Sequence, residues 1–225
     1  FFYEVSTGKD PVSFPLSSSL TSLFPLLHSF LHTHSTSLPS QMPPSTSLSY
    51  SDEPFSIRKR RYFFRNILDI DGDGLVRWKD LELLLVRVEE LARKDEFIRS
   101  KMALIGLWHN VTDDEISETE WLALWNETKE DKDEDSMVDH LFTLLDPSGD
   151  GLIDESEYVH VLTFFGKSKQ EALTCFDNIG RTPLGEPIFA IDNKRFLSLW
   201  KEFFYSDDSS SYGSYLFGLI DDFSK

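Results

Sequence analysis

The sequence has little cysteine, little basic charge and no long apolar run. Its 225 residues include one cysteine, Cys175, so no intrachain disulfide can form and we expect a cytosolic protein. Lysine and arginine number 22 against 39 acidic residues, and this net charge of −17 argues against nucleic-acid binding. No uninterrupted apolar stretch approaches the roughly 20 residues that span a bilayer, so we expect no transmembrane segment.

Aromatic residues, in contrast, are plentiful. They make up 14% of the chain, with 19 Phe and 5 Trp, and 40% of all residues are hydrophobic. That composition can fill a core, so it excludes global disorder. A chain this acidic repels itself when it folds unless bound cations offset the charge.

Residues 1–54 differ from the rest, because they are rich in Ser, Pro, Leu and Thr and carry few acidic residues. The apolar piece LTSLFPLLHSFLHTH is interrupted by Pro25, and it lacks a charged start and a clear small-residue cleavage site. A transit peptide would carry several arginines, but no arginine precedes Arg58. We interpret the segment as a disordered or spurious extension, with a targeting segment as the alternative.

Two acidic dodecapeptides stand out, DIDGDGLVRWKD at 69–80 and DPSGDGLIDESE at 146–157. Their separation is twice a period of about 38 residues, which suits one helix–loop–helix unit. Stepping by that period places two weaker loops at about 109–120 and 184–195. Each loop is followed by apolar residues three and four apart, which form one helical face. These are Leu81, Leu84, Leu85 and Val88; Trp121, Leu124 and Trp125; Tyr158, Val161, Leu162 and Phe165; and Phe196, Leu199, Trp200 and Phe203.

The eighth position of every loop is β-branched, which suits a short strand that pairs two loops side by side. The residues are Val76, Ile116, Ile153 and Ile191. We therefore predict an all-α fold of four helix–loop–helix units in two lobes, at 55–130 and 135–222. The charged run KEDKDED at 129–135 would connect them, either as a helical linker or as a solvated hinge.

The spacing of oxygen-bearing side chains in 146–157 predicts a calcium site. Calcium takes six to eight oxygens, and a twelve-residue loop supplies them from positions 1, 3, 5, 7, 9 and 12. Gly151 provides the sharp turn at position 6. This is the EF-hand pattern. The predicted ligands are Asp146, Ser148, Asp150, the Leu152 carbonyl, Asp154 and Glu157.

Loop 69–80 follows the same pattern with two departures. Arg77 occupies position 9, which often coordinates only through water. Aspartate replaces glutamate at position 12, and its shorter side chain favours six-coordination and tolerance of Mg²⁺. We predict calcium or mixed calcium and magnesium binding. The predicted ligands are Asp69, Asp71, Asp73, the Leu75 carbonyl and Asp80.

The other two loops are poorer in ligands. His109 and Val111 hold positions 1 and 3 of the second loop, so we interpret it as degraded, although Asp113, Ser117 and Glu120 leave binding open. In the fourth loop Leu184 and Arg195 hold positions 1 and 12, so a structural role is expected.

Three stretches resemble the invertebrate sarcoplasmic calcium-binding proteins and the related calexcitins. DIDGDGLVRWKDLE is similar to their first hand, including Trp78 and the aspartate at position 12. DDEISETEWLALW is similar to their second hand, and FLSLWKEFFYSDDSSSYGSYLFG to their C-terminal tail. The resemblance covers about residues 55–218. It implies a compact four-hand protein in which not every hand binds, with a cytosolic role in calcium buffering or signalling.

An alternative is an EF-hand carrier that resembles the coelenterate photoproteins and luciferin-binding proteins, whose interior holds an aromatic ligand. The many Phe and Trp side chains are the reason for considering it, although they also serve as ordinary core. We expect no enzyme, because no catalytic constellation is present in the sequence. We expect a cytoplasmic monomer that binds calcium ions, with no nucleic-acid partner and no specified protein target.

Overall fold

The computed structural model describes residues 53–112, 114–127, 133–182 and 184–220. The predicted extension at 1–54 lies outside this range except for Glu53 and Pro54. Most of the predicted connector at 129–135 lies outside it as well. The domain boundaries at 55–130 and 135–222 stay predictions.

Helices and four short strands alternate along the described chain, and the predicted all-α fold of four helix–loop–helix units is confirmed. The first helix continues into a π-helical turn, and a 3₁₀ turn follows the last helix. The elements are α1 (Phe55–Phe63), the π turn (Phe64–Leu68), β1 (Leu75–Arg77), α2 (Trp78–Leu91), α3 (Lys94–Val111), β2 (Glu115–Ser117), α4 (Glu118–Glu127), α5 (Asp133–Leu145), β3 (Leu152–Asp154), α6 (Glu155–Phe164), α7 (Lys169–Ile179), β4 (Ala190–Asp192), α8 (Asn193–Tyr205) and the 3₁₀ turn (Tyr212–Tyr215).

The strands pair the loops as the β-branched positions predict. β1 and β2 are antiparallel with Val76 opposite Ile116, and β3 and β4 are antiparallel with Ile153 opposite Ile191. All four side chains are buried. Each pair of loops is therefore tied together by backbone hydrogen bonds and by one apolar cross-strand contact.

Many of the aromatic side chains gather in one cluster, which joins the two ends of the described chain. Phe63 on α1 is fully buried, and its ring centroid lies 5.3 Å from that of Phe204 on α8 and 4.8 Å from that of Phe217. Trp121 on α4 stacks on Phe63 at 5.9 Å and donates its Nε1–H to the Arg60 carbonyl. Aromatic pairs at these separations contribute beyond the area they bury, so this cluster fixes α1 against α8.

Other helices also pack across the two predicted lobes. α3 contacts α5, and α2 contacts α6. The buried residues of both lobes form one continuous core. The two pairs of hands therefore stabilise each other through this shared core. Within the described residues, no helix is both long and apolar enough to cross a bilayer.

Lys59 anchors α1 to α8 from inside the protein. Its side chain is fully buried, and its Nζ donates to the Glu202 carbonyl at 2.6 Å. The ammonium also lies 5.2 Å from the Phe55 ring centroid and 5.8 Å from that of Phe203. Burial lowers the pKa of Lys59 from 10.5 to about 8, although nearby Asp207 and Glu202 oppose the shift.

The lowered pKa of Lys59 predicts a rise in stability with pH. Between pH 8 and 10.5 the unfolded chain keeps the lysine proton while the folded chain has released it, so folding is favoured as pH increases. One pKa unit corresponds to about 1.4 kcal/mol, and Tm changes by about 2–4 °C per kcal/mol in a chain of this size. We expect the Tm of the wild type to rise by at least about 2–4 °C relative to Lys59→Met between pH 8 and pH 10.

Differential scanning calorimetry across this pH range measures both proteins. Lys201→Met is the matched control, because Lys201 is an exposed lysine on the same helix that Lys59 contacts. The control should keep the pH slope of the wild type. A Lys59→Met protein with that same slope would contradict the assignment.

Candidate metal centre

The first loop brings three carboxylates together. Ligand oxygens of Asp69, Asp71 and Asp73 all lie within 4.8 Å of one another. Asp69 sits at the end of the π turn and is buried, whereas Asp71 and Asp73 lie on the exposed part of the loop. Gly74 follows with φ of +87°, a conformation that turns the backbone sharply toward β1 and favours glycine. The predicted ligands at positions 1, 3 and 5 therefore face a common point.

Backbone amides hold the Asp69 carboxylate in position. Its Oδ1 accepts from Gly72 N at 2.9 Å and Asp73 N at 3.1 Å, and its Oδ2 accepts from Gly74 N at 3.0 Å. Burial raises the pKa of Asp69, and the neighbouring charges of Asp80 and Asp73 add to the rise while the amide of Gly74 opposes it. The carboxylates repel each other, so a cation at this point would be favoured.

Asp80 closes the first loop from its far end. Its side chain is 1% exposed, and its oxygens accept from Ile70 N at 2.8 Å, Asp71 N at 3.2 Å and Arg77 N at 2.9 Å. Asp80 lies at the start of α2, where a carboxylate is favoured by the helix dipole. The predicted position-12 ligand therefore joins the loop's beginning to its exiting helix.

Two cations of the chain itself occupy the outer carboxylates of loop one. Lys79 Nζ lies 2.6 Å from Asp71 Oδ2, and this hydrogen bond lowers the pKa of Asp71. Arg77 Nη1 donates to Asp73 Oδ2 at 3.0 Å, and its Nε donates to Glu115 of β2 at 3.1 Å. Lys79 and Arg77 would therefore compete with a metal ion for the carboxylate oxygens of Asp71 and Asp73.

The third loop repeats the arrangement around Asp146. The carboxylate is almost fully buried, and it accepts from Gly149 N at 2.7 Å and from Gly151 N at 3.0 Å. The Ser148 hydroxyl donates to the same carboxylate at 3.3 Å. Asp150 Oδ1 accepts from Leu152 N at 2.9 Å, which makes an Asx turn at the start of β3.

Glu157 closes the third loop as Asp80 closes the first. Its Oε1 accepts from Ser148 N at 3.2 Å and its Oε2 from Asp154 N at 3.1 Å. Asp154 is the N-cap of α6, and its Oδ1 accepts from Glu157 N at 2.9 Å. Burial pushes the pKa of Asp154 upward, but the hydrogen bonds from Glu157 and Ser156 hold it below the usual value.

The carboxylates of loop three are spread more widely than those of loop one. In the described part of the chain, the one group of three acidic or His side chains with ligand atoms within 4.8 Å is that of loop one. Position 3 of loop three is Ser148, whose hydroxyl is not a carboxylate. A small cavity of about 260 Å³ lies beside Glu157 and is lined also by Arg93, Ser156 and His160.

The second loop begins inside a helix. α3 ends at Val111, so His109 and Val111 are helical, and the Val111 side chain is buried. The His109 ring packs edge-on against Trp78 at 4.9 Å between centroids. Positions 1 and 3 therefore face away from any cage. Asp113, at position 5, which leaves binding by this loop open, lies outside the described residues.

The last residues of the second loop keep their hydrogen bonds and their strand pairing. Ser117 donates to Glu120 Oε2 through its amide at 2.9 Å and through its hydroxyl at 2.7 Å, and this lowers the pKa of Glu120. β2 pairs with β1 immediately before it. Loop two therefore keeps β2, the strand that pairs with loop one.

The fourth loop is a turn without converging carboxylates among its described residues. Gly185 has φ of +85°, and Arg181 and Pro187 form a bridge across the turn. Leu184, at predicted position 1, is exposed to solvent. Arg195 at position 12 donates its amide to Asp192, the N-cap of α8. The residues around β4 therefore form a strand and the N-cap of α8.

Lys79, Glu115 and Arg99 make polar contacts at the loops that the EF-hand spacing does not predict. Lys79 occupies position 11 of loop one, and its charge beside four carboxylates is the signal that could have indicated it. Arg99 lies on α3, and its Nε donates to the Asp146 carbonyl at 3.0 Å. The two residues are 47 positions apart in the chain, so sequence spacing gives no signal for this contact.

The donor set of loops one and three fits calcium. All of the predicted side-chain ligands offer oxygen, and hard oxygen donors are what calcium and magnesium prefer. In loop one two of the three converging carboxylates, Asp71 and Asp73, already pair with cations of the chain at their outer oxygens. A divalent cation would replace these contacts with stronger ones at the common point.

The geometry of Asp80 predicts a loss of metal-free stability on its removal. Asp80→Ala leaves three backbone amides without their acceptor, whereas Asp73→Ala removes the same charge from an exposed position that accepts the Leu75 amide and the Arg77 side chain. We expect the free energy of unfolding of Asp80→Ala to fall by about 1–3 kcal/mol more than that of Asp73→Ala.

Urea unfolding of both variants in EDTA, followed by circular dichroism, gives this difference. Both variants remove one negative charge, and Asp80 acts on Asp69 more strongly than Asp73 does, so relief of repulsion makes the measured difference smaller rather than larger. An equal or larger loss in Asp73→Ala would show that Asp80 does not close the loop.

Comparison with known proteins supports these observations. No family model matches the chain. It is 25% identical over 181 residues to Calexcitin-1 of Caenorhabditis elegans, covering 75% of this chain and 89% of that protein. It is 29% identical over 123 residues to the sarcoplasmic calcium-binding proteins I, III and IV of Branchiostoma lanceolatum, covering 46% of this chain and 66% of theirs.

A solved structure shares the fold. The calcium-loaded apo form of the coelenterazine-binding protein from Renilla muelleri aligns with a TM-score of 0.60 at 18% identity, covering 76% of this chain and 99% of that one. Together with four paired loops and the two acidic dodecapeptides, these similarities confirm the resemblance drawn from the sequence. The chain is similar to the calexcitins and the sarcoplasmic calcium-binding proteins, and it has the fold of four paired helix–loop–helix units.

Proposed function

We propose that the chain binds calcium in loops one and three and serves as a cytosolic calcium buffer or calcium-signalling protein. The observation that carries the proposal is the convergence of Asp69, Asp71 and Asp73 within 4.8 Å in a loop with EF-hand spacing. The similarity to Calexcitin-1 and to the sarcoplasmic calcium-binding proteins agrees with it.

In loop one the ion would be held by Asp69, Asp71, Asp73, the Leu75 carbonyl and Asp80. A bound calcium ion supplies two positive charges at the point where these carboxylates repel each other. Asp80 has a shorter side chain than glutamate, which suits six oxygens and admits Mg²⁺ as well. Lys79 and Arg77 have to release Asp71 and Asp73 for the ion, so they lower the affinity of this loop.

In loop three the ion would be held by Asp146, Ser148, Asp150, the Leu152 carbonyl, Asp154 and Glu157. Glu157 sits at the start of α6 and already joins this helix to the loop through two backbone amides. Its longer side chain can offer both oxygens to one ion, which favours calcium over magnesium. Binding adds stability to the folded chain in proportion to RT ln(1 + [L]/Kd) at each site.

Loops two and four act as scaffold in this proposal. β2 and β4 pair with β1 and β3, so each binding loop is held in register by a partner loop. Because α3 extends to Val111, the second loop lacks the turn that would place ligands at positions 1 and 3. The chain would then carry two calcium ions.

The packing of the exiting helices favours a buffer, or a sensor whose change is small. A sensor that opens a target groove uses flexible, Met-rich faces. Here the faces of α4 and α8 carry Trp121, Trp125, Trp200 and Phe204, and these rings pack against each other and against α1. Opening would separate the Phe204 ring from those of Trp125 and Phe63, whose centroids lie 4.2 Å and 5.3 Å from it.

The same packing bears on the alternative of an aromatic-ligand carrier. The coelenterazine-binding protein shares the fold, and its name states a ligand. In this chain the Trp125 ring of α4 stacks on the Phe204 ring of α8 with 4.2 Å between centroids, and it lies 6.2 Å from the Trp200 ring of the same helix. Aromatic side chains therefore occupy space between α4 and α8. A visible absorbance band in the purified protein, or light on addition of calcium, would support the carrier instead.

Calorimetric titration of the full chain with calcium, with and without millimolar magnesium, tests the proposal. We expect two binding events, and we expect magnesium to compete at loop one more than at loop three. Heats that fit no binding site would sink the proposal.

The two position-12 glutamates provide a matched pair of variants. Glu157→Gln should abolish tight binding at loop three and reduce the stoichiometry from two to one, because the amide removes one charged oxygen ligand. Glu120→Gln makes the same chemical change at the same position of loop two, and the stoichiometry should stay at two. Calorimetry of both variants measures the difference.

Unchanged stoichiometry and affinity in Glu157→Gln would refute the assignment of loop three. Loss of a binding event in Glu120→Gln would show that the second loop binds calcium.

A further inference from the structure

An arginine of the second hand reaches the third loop. Arg99 lies on α3, which leads into loop two, whereas Asp146 begins loop three. Arg99 Nε donates to the Asp146 carbonyl at 3.0 Å, and Arg99 Nη2 lies 3.7 Å from Asp146 Oδ2. The Asp146 side chain is 2% exposed and that of Arg99 41% exposed. One guanidinium therefore contacts both the backbone and the carboxylate of position 1.

The guanidinium also lies against the backbone of position 4. A Cβ placed on Gly149 would come within 2.7 Å of Arg99 Nη1 and 3.0 Å of its Cζ. Gly72 holds the same position in loop one with nearly the same backbone, φ of +73° against +77°, and no atom lies within 4 Å of its Cβ position. Close approach of a guanidinium thus distinguishes loop three from loop one.

The two loops obtain positive charge from different places. In loop one Lys79 and Arg77, which belong to the loop itself, pair with Asp71 and Asp73. In loop three Asp146 pairs with Arg99 of another hand. The backbone contact at the Asp146 carbonyl is compatible with a bound ion, because position 1 ligates through its side chain. The contact with Oδ2 competes with the ion for the same carboxylate.

We propose that Arg99 is a positioning residue that holds the first ligand of loop three from the neighbouring pair of hands, stabilising the metal-free loop and lowering its calcium affinity. The inference rests on the proposed calcium binding at loop three. The geometry of α3 is then linked to the affinity of loop three, since a shift of this helix would move the guanidinium relative to Asp146.

Arg99→Gln tests the inference in the full chain, with Lys101→Gln as its control. Lys101 is an exposed cation on the same helix, and its Nζ lies 5.9 Å from the Phe97 ring centroid. We expect Arg99→Gln to lower the Tm in EDTA and to raise the calcium affinity of loop three about three- to tenfold, as expected for loss of one partly screened charge. Loop one should be unaffected.

The direction of the affinity change separates this role from a merely structural one. Loss of packing alone would loosen the loop and weaken calcium binding, whereas removal of a competing charge strengthens it. Arg99→Lys keeps the charge but not the guanidinium fork. It should therefore retain most of the low affinity while losing part of the metal-free Tm.

The glycines supply a second test. In a Gly149→Ala background the new Cβ displaces the guanidinium, so Arg99→Gln should change the calcium affinity less than in the wild type. Gly72→Ala introduces a similar backbone strain in loop one and leaves the guanidinium in place. In that background Arg99→Gln should still raise the calcium affinity of loop three by the full three- to tenfold, about the effect of one partly screened charge.

Each outcome has a distinct meaning. If Arg99→Gln changes neither Tm nor affinity beyond the change in Lys101→Gln, or weakens calcium binding, the inference is overturned while the proposed function stands. If the wild type and Glu157→Gln give the same titration, loop three does not bind calcium, and the proposed function fails together with the inference.

Discussion

Negative charge held inside a folded chain is the constraint on which this protein depends. Asp69, Asp80, Asp146 and Glu157 are all buried, in a chain whose net charge is −17. Each accepts backbone amides of its own loop, and the loops also recruit side-chain cations. These contacts reduce the repulsion without removing it, and the remaining repulsion is the physical basis for the divalent-cation binding that we propose.

The aromatic core gives the loops a fixed frame. Phe63 and the rings of α4 and α8 join the first hand to the fourth, while α3 and α5 pack across the middle of the chain. The strand pairs β1–β2 and β3–β4 then place each acidic loop beside a poorer one. The two pairs of hands are therefore in contact through packed helices, and the contact between Arg99 and Asp146 joins a helix of one pair to a binding loop of the other.

Local features of the sequence predicted a large part of this arrangement. The β-branched eighth positions gave the strand pairs, and the apolar residues after each loop gave the buried faces of the helices. The extension of α3 through His109 and Val111 is less visible, because the same residues fit either a helix end or a degraded loop. The contact of Arg99 with loop three could not be predicted, since it depends on how α3 packs against a loop that lies far along the chain.

We propose that two of the four loops enclose a divalent ion while the other two support them. Native mass spectrometry of the full chain in calcium-containing buffer counts the bound ions directly. We expect a folded species that carries two calcium ions. A folded chain that carries no metal, or one that carries four ions, would contradict it.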